Sequence, residues 1–160
     1  MSPAPGRRDA RSRLVTDVIL LVFRVNGQLL ASGDRLVADL HLTSARWQML
    51  GAVALSDSPR TAPRLAVQMG VTRQGAQKQL NLLLEEGLVS TKPNPGHARS
   101  ALYVLTPKGS SIYAATERVQ TTWAKQLARK LPISDLWAAK RLLEELSGRL
   151  STTAGSESKS

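Results

Sequence analysis

The sequence has no cysteine among its 160 residues and only two histidines, His41 and His97. The absence of cysteine excludes disulfide bonds, thiolate zinc sites and thiol-based redox sensing. Both histidines are predicted to lie in loops, and no ligand spacing typical of a metal site surrounds them. We therefore predict neither a metal site nor a cofactor.

The motifs of common enzymes are also missing. The chain has no glycine-rich phosphate loop, no nucleophile elbow and no convincing nucleophile–base pair. Asp39 and His41 form a local pair in a predicted loop, and no third group joins them. The sequence therefore predicts a protein that is not an enzyme.

Acidic residues are scarce relative to basic ones. There are 12 Asp and Glu against 22 Lys and Arg, which gives a net charge of +10 and a pI near 10.9. Such a balance indicates an anionic partner, either nucleic acid or a membrane surface. Residues 60–108 hold seven Lys and Arg against two Glu, a local net charge of +5. The charge is therefore high in the segment that carries the motifs described below.

Long apolar runs are absent as well. The longest strongly apolar run covers residues 18–23 and lies between Asp17 and Arg24, whereas a membrane span needs about 20 predominantly apolar residues. Residues 1–13 lack the apolar core of a secretory signal. With 42% hydrophobic residues, the chain can bury a core. We predict a cytoplasmic protein with no membrane partner.

Residues 61–87 have the pattern of a helix-turn-helix. Thr61 is a suitable N-cap, and Pro63 follows in the first turn, where its missing N–H costs little. Gly70 is predicted to end the first helix. Only Val71 separates it from Thr72, the predicted N-cap of a second helix. Two helices across so short a turn are typical of DNA-binding proteins.

The second helix has two different faces. Its apolar face contains Ala76, Leu80, Leu83 and Leu84, and its polar face contains Arg73, Gln74, Gln77, Lys78 and Asn81. Glutamine can pair with adenine, arginine with guanine, and lysine with guanine or phosphate. We predict that Arg73, Gln74 and Gln77 read bases in the major groove, whereas Thr72 and Lys78 position the helix. A polar face alone would more often simply be solvated.

A β-wing is predicted after the second helix. Gly87 ends that helix, and residues 88–91 and 101–105 have the composition of paired strands. The loop between them contains two prolines and a glycine and is too long for a two-residue turn, so it should project. Lys92, His97 and Arg99 are the predicted DNA contacts of this wing, with Arg99 suited to a minor groove or its phosphates.

The remaining segments are predicted to be mostly helical. Residues 1–12 are interpreted as a disordered basic arm, and residues 13–31 as a helix that is apolar on nearly all sides. Such a helix must be buried from more than one direction, which indicates a second subunit. The Ser32-Gly33-Asp34 segment is predicted to interrupt or end it. A short helix over residues 45–54 follows a cap at Thr43 or Ser44.

Two further helices are predicted near the carboxyl terminus. Thr106 caps a long one that runs from Pro107 to residue 129 or 130, and Ser134 caps the last one. Residues 151–160 form a polar tail that we predict to be disordered. The predicted fold is mainly α with a small β-wing. Residues 13–150 form one domain, with a winged helix-turn-helix lobe at 43–106 and dimerisation helices at 13–42 and 107–150.

The order of these elements resembles the MarR/SlyA-type transcriptional regulators. The resemblance covers roughly residues 14–150, and its most specific part is the run GLVSTKPNPGHARSALYVLTPKG. Other matching positions are Leu42-Thr43, Trp47, Leu50, Leu65-Ala66, Gly70-Val71-Thr72-Arg73, Leu83 and Glu86-Gly87-Leu88-Val89. One departure is that Gly96-His97-Ala98 stands where the family commonly has an acidic residue at the wing tip.

The resemblance implies a homodimer that binds a pseudo-palindromic operator in double-stranded DNA, with half-sites about 10 bp apart. It further implies a repressor that is relieved by a small aromatic or anionic effector. By the same resemblance Arg24, Arg46 and Trp47 are candidates for the effector pocket, although a core role for Trp47 and solvation or ion pairing of the arginines are the simpler explanations. Two alternatives stay open: a winged helix that binds an acidic protein partner, and a regulator that responds to no ligand.

Overall fold

The computed structural model describes residues 9–157, with side chains described as far as Ser151. Six helices and two strands are present in this part of the chain: α1 (Ala10–Leu36), α2 (Ser44–Ala54), α3 (Ala62–Met69), α4 (Arg73–Glu85), β1 (Val89–Lys92), β2 (Leu102–Leu105), α5 (Pro107–Leu127) and α6 (Ile133–Glu157), with a short 3-10 helix at Ala38–Leu40. The predicted fold class, mainly α with a small β-wing, is confirmed. The described residues form two compact units that meet in sequence between Gln120 and Thr121.

Both ends of the folded chain are more helical than predicted. Helix α1 begins at Ala10, inside the predicted disordered arm, and the first eight residues of that arm lie outside the described residues. Helix α6 begins one residue before the predicted cap Ser134 and continues to Glu157, through most of the predicted disordered tail. Residues 158–160 lie outside the described residues.

The predicted break at Ser32-Gly33-Asp34 is wrong, because α1 runs through it to Leu36. Gly33 is buried, and a Cβ added there would lie 2.3 Å from Ser44 Oγ. That hydroxyl donates to the Leu30 carbonyl at 2.7 Å, and the Ser44 amide donates to Asp34 Oδ1 at 2.6 Å. The glycine therefore lets the start of α2 approach α1 closely and does not mark a helix end.

The rest of α1 is exposed to an unusual degree for its composition. Its most apolar 18-residue window has a mean hydropathy of 1.6, and none of that window is buried. By length and composition α1 could cross a membrane, so the apolar segment is longer than the run at residues 18–23 indicates. A mostly buried core helix of a soluble protein and a signal sequence near the N-terminus pass the same test. The large apolar side chains exposed on α1 are Leu14, Val15, Ile19, Leu20, Leu21, Val22, Phe23, Val25, Leu29 and Leu30.

The hydrophobic core lies in the first unit, among α2, α3, α4 and the adjoining strands. Its largest fully buried hydrophobic side chains are Met49, Leu50, Leu65, Leu80, Leu83 and Val37. Trp47 is half-buried and packs against this cluster. The core thus fixes α3 and α4 on one support.

The strands form one antiparallel pair, with Val89 opposite Leu105 and Lys92 opposite Leu102. The predicted cap of α5 is confirmed, since Thr106 Oγ1 accepts from the Gly109 amide at 3.0 Å. The Thr106 amide also donates to the Leu88 carbonyl at 3.1 Å. A Cβ added at Gly109 would lie only 1.8 Å from that carbonyl oxygen. Gly109 is therefore required by the close approach of α5 to the start of the wing.

In the second unit, α6 has the predicted apolar side chains but does not bury them. Leu136, Trp137, Leu142, Leu143 and Leu150 are all exposed. The preceding helix ends at Leu127, two to three residues before the predicted end. Like α1, α6 carries large exposed apolar side chains.

Candidate nucleic-acid interface

The turn between α3 and α4 is formed by local interactions. Gly70 adopts the left-handed conformation, with φ of 63°, and the Val71 amide donates to the Ala66 carbonyl at 3.0 Å. Thr72 caps α4 as predicted, because its Oγ1 accepts from the Gly75 amide at 3.0 Å. Thr61 occupies the N-cap position of α3, but its hydroxyl makes no capping bond. The helix-turn-helix itself is confirmed.

Helix α4 separates its side chains into a buried and an exposed face. Ala76, Leu80 and Leu83 have no exposed surface, and Leu84 is half-buried. The five residues of the predicted polar face, Arg73, Gln74, Gln77, Lys78 and Asn81, are all exposed. The structure therefore brings together every predicted contact of this helix on one solvent-facing surface.

One of these residues, Gln77, contacts a side chain from the wing. Gln77 Nε2 donates to Asn81 Oδ1 at 2.8 Å and to the Tyr103 hydroxyl at 2.9 Å. Tyr103 lies on β2 and is only 6% exposed. Sequence reasoning did not identify Tyr103, because nothing in the local pattern indicates a contact 26 residues away. The Tyr103 hydroxyl therefore joins the wing to the exposed polar face of α4.

The wing loop is held in shape by Asn94. Its Nδ2 donates to the Ser100 carbonyl at 2.9 Å, and its Oδ1 accepts from the Gly96 amide at 3.1 Å. The predicted wing contacts Lys92, His97 and Arg99 are exposed. Asn94 thus organises the wing tip around Gly96.

The cations of this surface have no acidic partner. In the part of the chain that the structure describes, no carboxylate lies within ion-pairing distance of Arg73, Lys78 or Arg99. Surface cations that are not neutralised internally leave a positive potential for an external anion. Polar groups beside such cations are what base and phosphate contacts in DNA require.

The carboxyl end of α4 is anchored to two other helices. Gly87 has a left-handed φ of 68° after the last turn. Glu86 forms an ion pair with Arg46 of α2, and its carbonyl accepts from Lys108 Nζ of α5 at 2.7 Å. Arg46, a predicted pocket residue, therefore has a structural partner.

Of the three predicted pocket residues, only Trp47 lines a cavity beside α2. Trp47 lines a cavity of about 320 Å³ with Gln48 and Tyr113, whereas neither Arg24 nor Arg46 lines it. A second cavity of about 300 Å³ lies between α1, α2 and the helix-turn-helix; it is lined by Asn26, Leu30, Ala45, Gln48, Met49, Met69, Gly70, Val71, Gly75 and Gln79. Both cavities are large enough for a small aromatic molecule.

One titratable group in the first cavity is perturbed. The Tyr113 hydroxyl donates to Glu117 Oε1 at 2.9 Å. Burial raises the pKa of Tyr113 above its ordinary value, and the hydrogen bond and negative charge of Glu117 raise it further. The phenol is therefore a hydrogen-bond donor at neutral pH. Between residues 9 and 157, no three His, Asp or Glu side chains are grouped closely enough to hold a metal ion.

Comparison with known proteins gives consistent matches. The sequence model of the MarR family matches residues 40–100. The chain is 43% identical over 111 residues to the uncharacterized protein Rv2011c of Mycobacterium tuberculosis. The aligned residues make up 69% of this chain and 73% of that protein.

Two solved structures show the same fold. A MarR variant from E. coli, complexed with operator DNA, has a TM-score of 0.72 at 21% identity and covers 87% of this chain and 99% of its own. CouR from Rhodococcus jostii, bound to p-coumaroyl-CoA, has a TM-score of 0.73 at 18% identity and covers 84% and 94%. Sequence and fold agree: the chain belongs to the MarR family and has the winged-helix fold of its transcription regulators.

Proposed function

We propose that this protein is a homodimeric, sequence-specific DNA-binding regulator of transcription that acts in the cytoplasm. The observation that supports this most strongly is the exposed polar face of α4, whose cations have no acidic partner in the described chain. The wing places Arg99 and Lys92 on the same lobe. Solved family members bound to operator DNA and to a 23-mer duplex support the same use of this fold.

We assign separate roles to the residues of this interface. Arg73, Gln74 and Gln77 contact base edges, since they lie in the first half of α4, the part of a recognition helix that reaches them. The other contacts serve affinity and orientation: Thr72, Lys78, Asn81, Lys92, His97 and Arg99. Phosphate contacts fix register, and base contacts carry the sequence information.

A fluorescence titration of labelled duplexes at several salt concentrations tests this function. The logarithm of the affinity should fall linearly with the logarithm of the salt concentration. Lys78→Ala should weaken binding to all duplexes alike and flatten that line, whereas Lys125→Ala, an exposed lysine on α5, should leave it unchanged. Gln74→Ala/Gln77→Ala should relax base preference, by about 1–3 kcal/mol where a bidentate contact is lost. A protein that binds only an acidic polypeptide and no duplex would contradict the proposal.

We propose that a second copy of the chain covers the apolar surface of α1, as expected for dimerisation segments at residues 13–42 and 107–150. A membrane is the weaker alternative, because Asp17 and Arg24 lie within α1 and a charge near the centre of a bilayer costs about 3 kcal/mol. Two-fold symmetry would also give the two reading helices that a palindromic operator needs.

Sedimentation velocity tests the dimer. Phe23 on α1 is 70% exposed and Val67 on α3 is 79% exposed. Phe23→Glu should convert the dimer to single chains. Val67→Glu replaces a side chain that is at least as exposed but lies outside α1, and it should leave the dimer intact. A wild-type protein that sediments as one chain at micromolar concentration would contradict the proposal.

We propose further that the protein represses transcription and is released from DNA by a small aromatic effector. The cavity beside Trp47 supports this, and CouR, a repressor with the same fold, is bound to p-coumaroyl-CoA in one structure. The lining includes the Glu117 carboxylate and no Lys or Arg, so the cavity favours a neutral aromatic group over an anion. Benzamide and salicylate can be compared by their quenching of tryptophan fluorescence and their effect on duplex binding. Trp47→Phe should reduce the response to benzamide, and a response to salicylate alone would contradict this preference.

A further inference from the structure

The contact between Tyr103 and Gln77 joins the two parts of the interface through one hydroxyl group. Tyr103 lies opposite Thr91 in the wing sheet, and its amide donates to the Arg60 carbonyl at 2.9 Å on the other side. Its ring is buried. The backbone of Tyr103 is thus fixed from both sides, and the ring is held by packing. Its hydroxyl is a rigid acceptor beside the exposed face of α4.

The amide nitrogen of Gln77 is fully engaged by this arrangement. Its two N–H groups donate to the Tyr103 hydroxyl and to Asn81 Oδ1. The amide oxygen, Oε1, has no hydrogen-bond donor within the described chain. An exposed glutamine usually samples many rotamers, and ordering it on binding costs entropy. Here two hydrogen bonds select one amide orientation before any ligand arrives.

We infer that Tyr103 is a positioning residue for base recognition, and that it leaves Gln77 to contact a base through Oε1 alone. This inference rests on the proposed function. A lone acceptor in the major groove complements the exocyclic amino groups, N6 of adenine and N4 of cytosine. It opposes O6 of guanine and O4 of thymine, which are acceptors themselves.

The contact expected of Gln77 Oε1 differs from the usual bidentate glutamine–adenine pair. That pair needs one glutamine N–H to donate to adenine N7 while the oxygen accepts from N6. With both N–H groups held by Tyr103 and Asn81, the N7 contact is not available. At the position that Gln77 contacts, the protein should therefore bind adenine and cytosine with similar affinity and should discriminate against guanine and thymine.

Selection from a library of random duplexes, followed by sequencing, tests this with the full-length protein. Gln77→Ala identifies the base position that Gln77 reads, as the one at which preference is lost. Tyr103→Phe removes only the hydroxyl and should reduce discrimination at that same position about threefold to tenfold, the amount expected for one hydrogen bond. Affinity for a nonspecific duplex should stay unchanged, and the midpoint of thermal unfolding should shift by only about a few degrees, as expected for one lost hydrogen bond. Ser56→Ala is the control, since it removes a hydroxyl that donates to the Ala52 carbonyl and to Gln68, neither of which is a predicted DNA contact.

Asn81→Ala keeps the test decisive if Tyr103→Phe folds poorly, and a double variant checks that the hydroxyl acts through Gln77. Asn81→Ala removes the other acceptor from an exposed position and should relax the same base position. Tyr103→Phe/Gln77→Ala should discriminate no worse than Gln77→Ala, because the hydroxyl acts only through Gln77.

The outcomes separate the inference from the function on which it rests. Unchanged selection by Tyr103→Phe and by Asn81→Ala, with preference lost in Gln77→Ala, would overturn the positioning role and leave DNA binding intact. A wild-type preference for guanine or thymine at the Gln77 position would overturn the role of Oε1. Failure of the wild-type protein to enrich any duplex would overturn the proposed function itself.

Discussion

Replacing Gly109 by alanine should be among the most damaging single-methyl changes in this protein. The added Cβ would lie 1.8 Å from the Leu88 carbonyl oxygen and 2.8 Å from its carbon. Both atoms belong to the backbone, so no side-chain rotation can relieve the overlap. The first turn of α5 would have to move away from the wing by more than 1 Å, a distance on the scale of the van der Waals overlap.

The magnitude follows from what that movement breaks. Overpacking of a tight site costs about 1–3 kcal/mol. The Leu88 carbonyl also accepts from the Thr106 amide at 3.1 Å and from Thr106 Oγ1 at 3.2 Å, and each lost bond costs about 1 kcal/mol. We expect a loss of about 3–5 kcal/mol, a large share of the roughly 5–15 kcal/mol that stabilises most domains.

Urea unfolding followed by far-ultraviolet circular dichroism measures this loss, at one fixed protein concentration because dimerisation would add to the apparent stability. Gly148→Ala in α6 is the control. A Cβ there meets nothing within 4 Å, and alanine is the better helix former by about 1 kcal/mol. If Gly109→Ala lost less than about 1 kcal/mol, the close approach of α5 to the wing would be wrong.

Three other predictions concern the interface and its surroundings. Arg99→Ala should lower affinity for every duplex and reduce the slope of log affinity against log salt by about 0.9, as expected for one phosphate contact; a change at a single base position would contradict that role. The Tyr113 phenol should ionise above pH 10.0, because burial and then Glu117 raise its pKa, and this is measured as the difference between the ultraviolet absorbance titrations of wild type and Tyr113→Phe. Because the pKa of Tyr113 is raised in the folded state, the folded protein favours the protonated phenol. This contribution to stability should be complete below pH 10.0 and lost as the pH rises through the folded-state pKa. A titration midpoint of Tyr113 at or below pH 10.0 would refute it. Arg46→Met should lower the free energy of unfolding by only about 1 kcal/mol, since the Glu86 carboxylate is partly exposed to solvent. Adding Glu86→Gln to this variant should lower the free energy of unfolding little further. Full additivity of the two substitutions in a double-mutant cycle would show that the two side chains are not coupled.

Much of the interface could be predicted because it depends on local sequence. The stop at Gly70, the cap at Thr72 and the leucine spacing of α4 act within a few residues of one another, and each gives a recognisable pattern. The exposed face of α4 then follows from its apolar one. For the same reason the predicted caps Thr72 and Thr106 are confirmed by hydrogen bonds to the amides three residues later.

The contacts that could not be predicted connect distant positions. Tyr103 meets Gln77 across 26 residues, and Arg46 meets Glu86 across 40. Glycine has a low helix propensity, yet at Gly33, in the segment predicted as a break, the close packing against Ser44 outweighs that preference. Spacing within one element carries no information about such pairs. The same limit applies to the predicted pocket: Trp47 lines a cavity with Tyr113, a residue 66 positions away in the chain.

The attachment of α4 to α5 has a mechanical consequence. Lys108 Nζ donates to the Glu86 carbonyl and Thr106 Oγ1 donates to the Gly87 carbonyl, each at 2.7 Å. One to two helical turns further along α5, Tyr113 lines the cavity beside Trp47. The start of α5 is therefore tied to the carboxyl end of α4. If a molecule in that cavity displaced α5, it would have to tilt α4 or break both hydrogen bonds, and under the proposed function a tilted α4 would misalign its side chains with the base pairs.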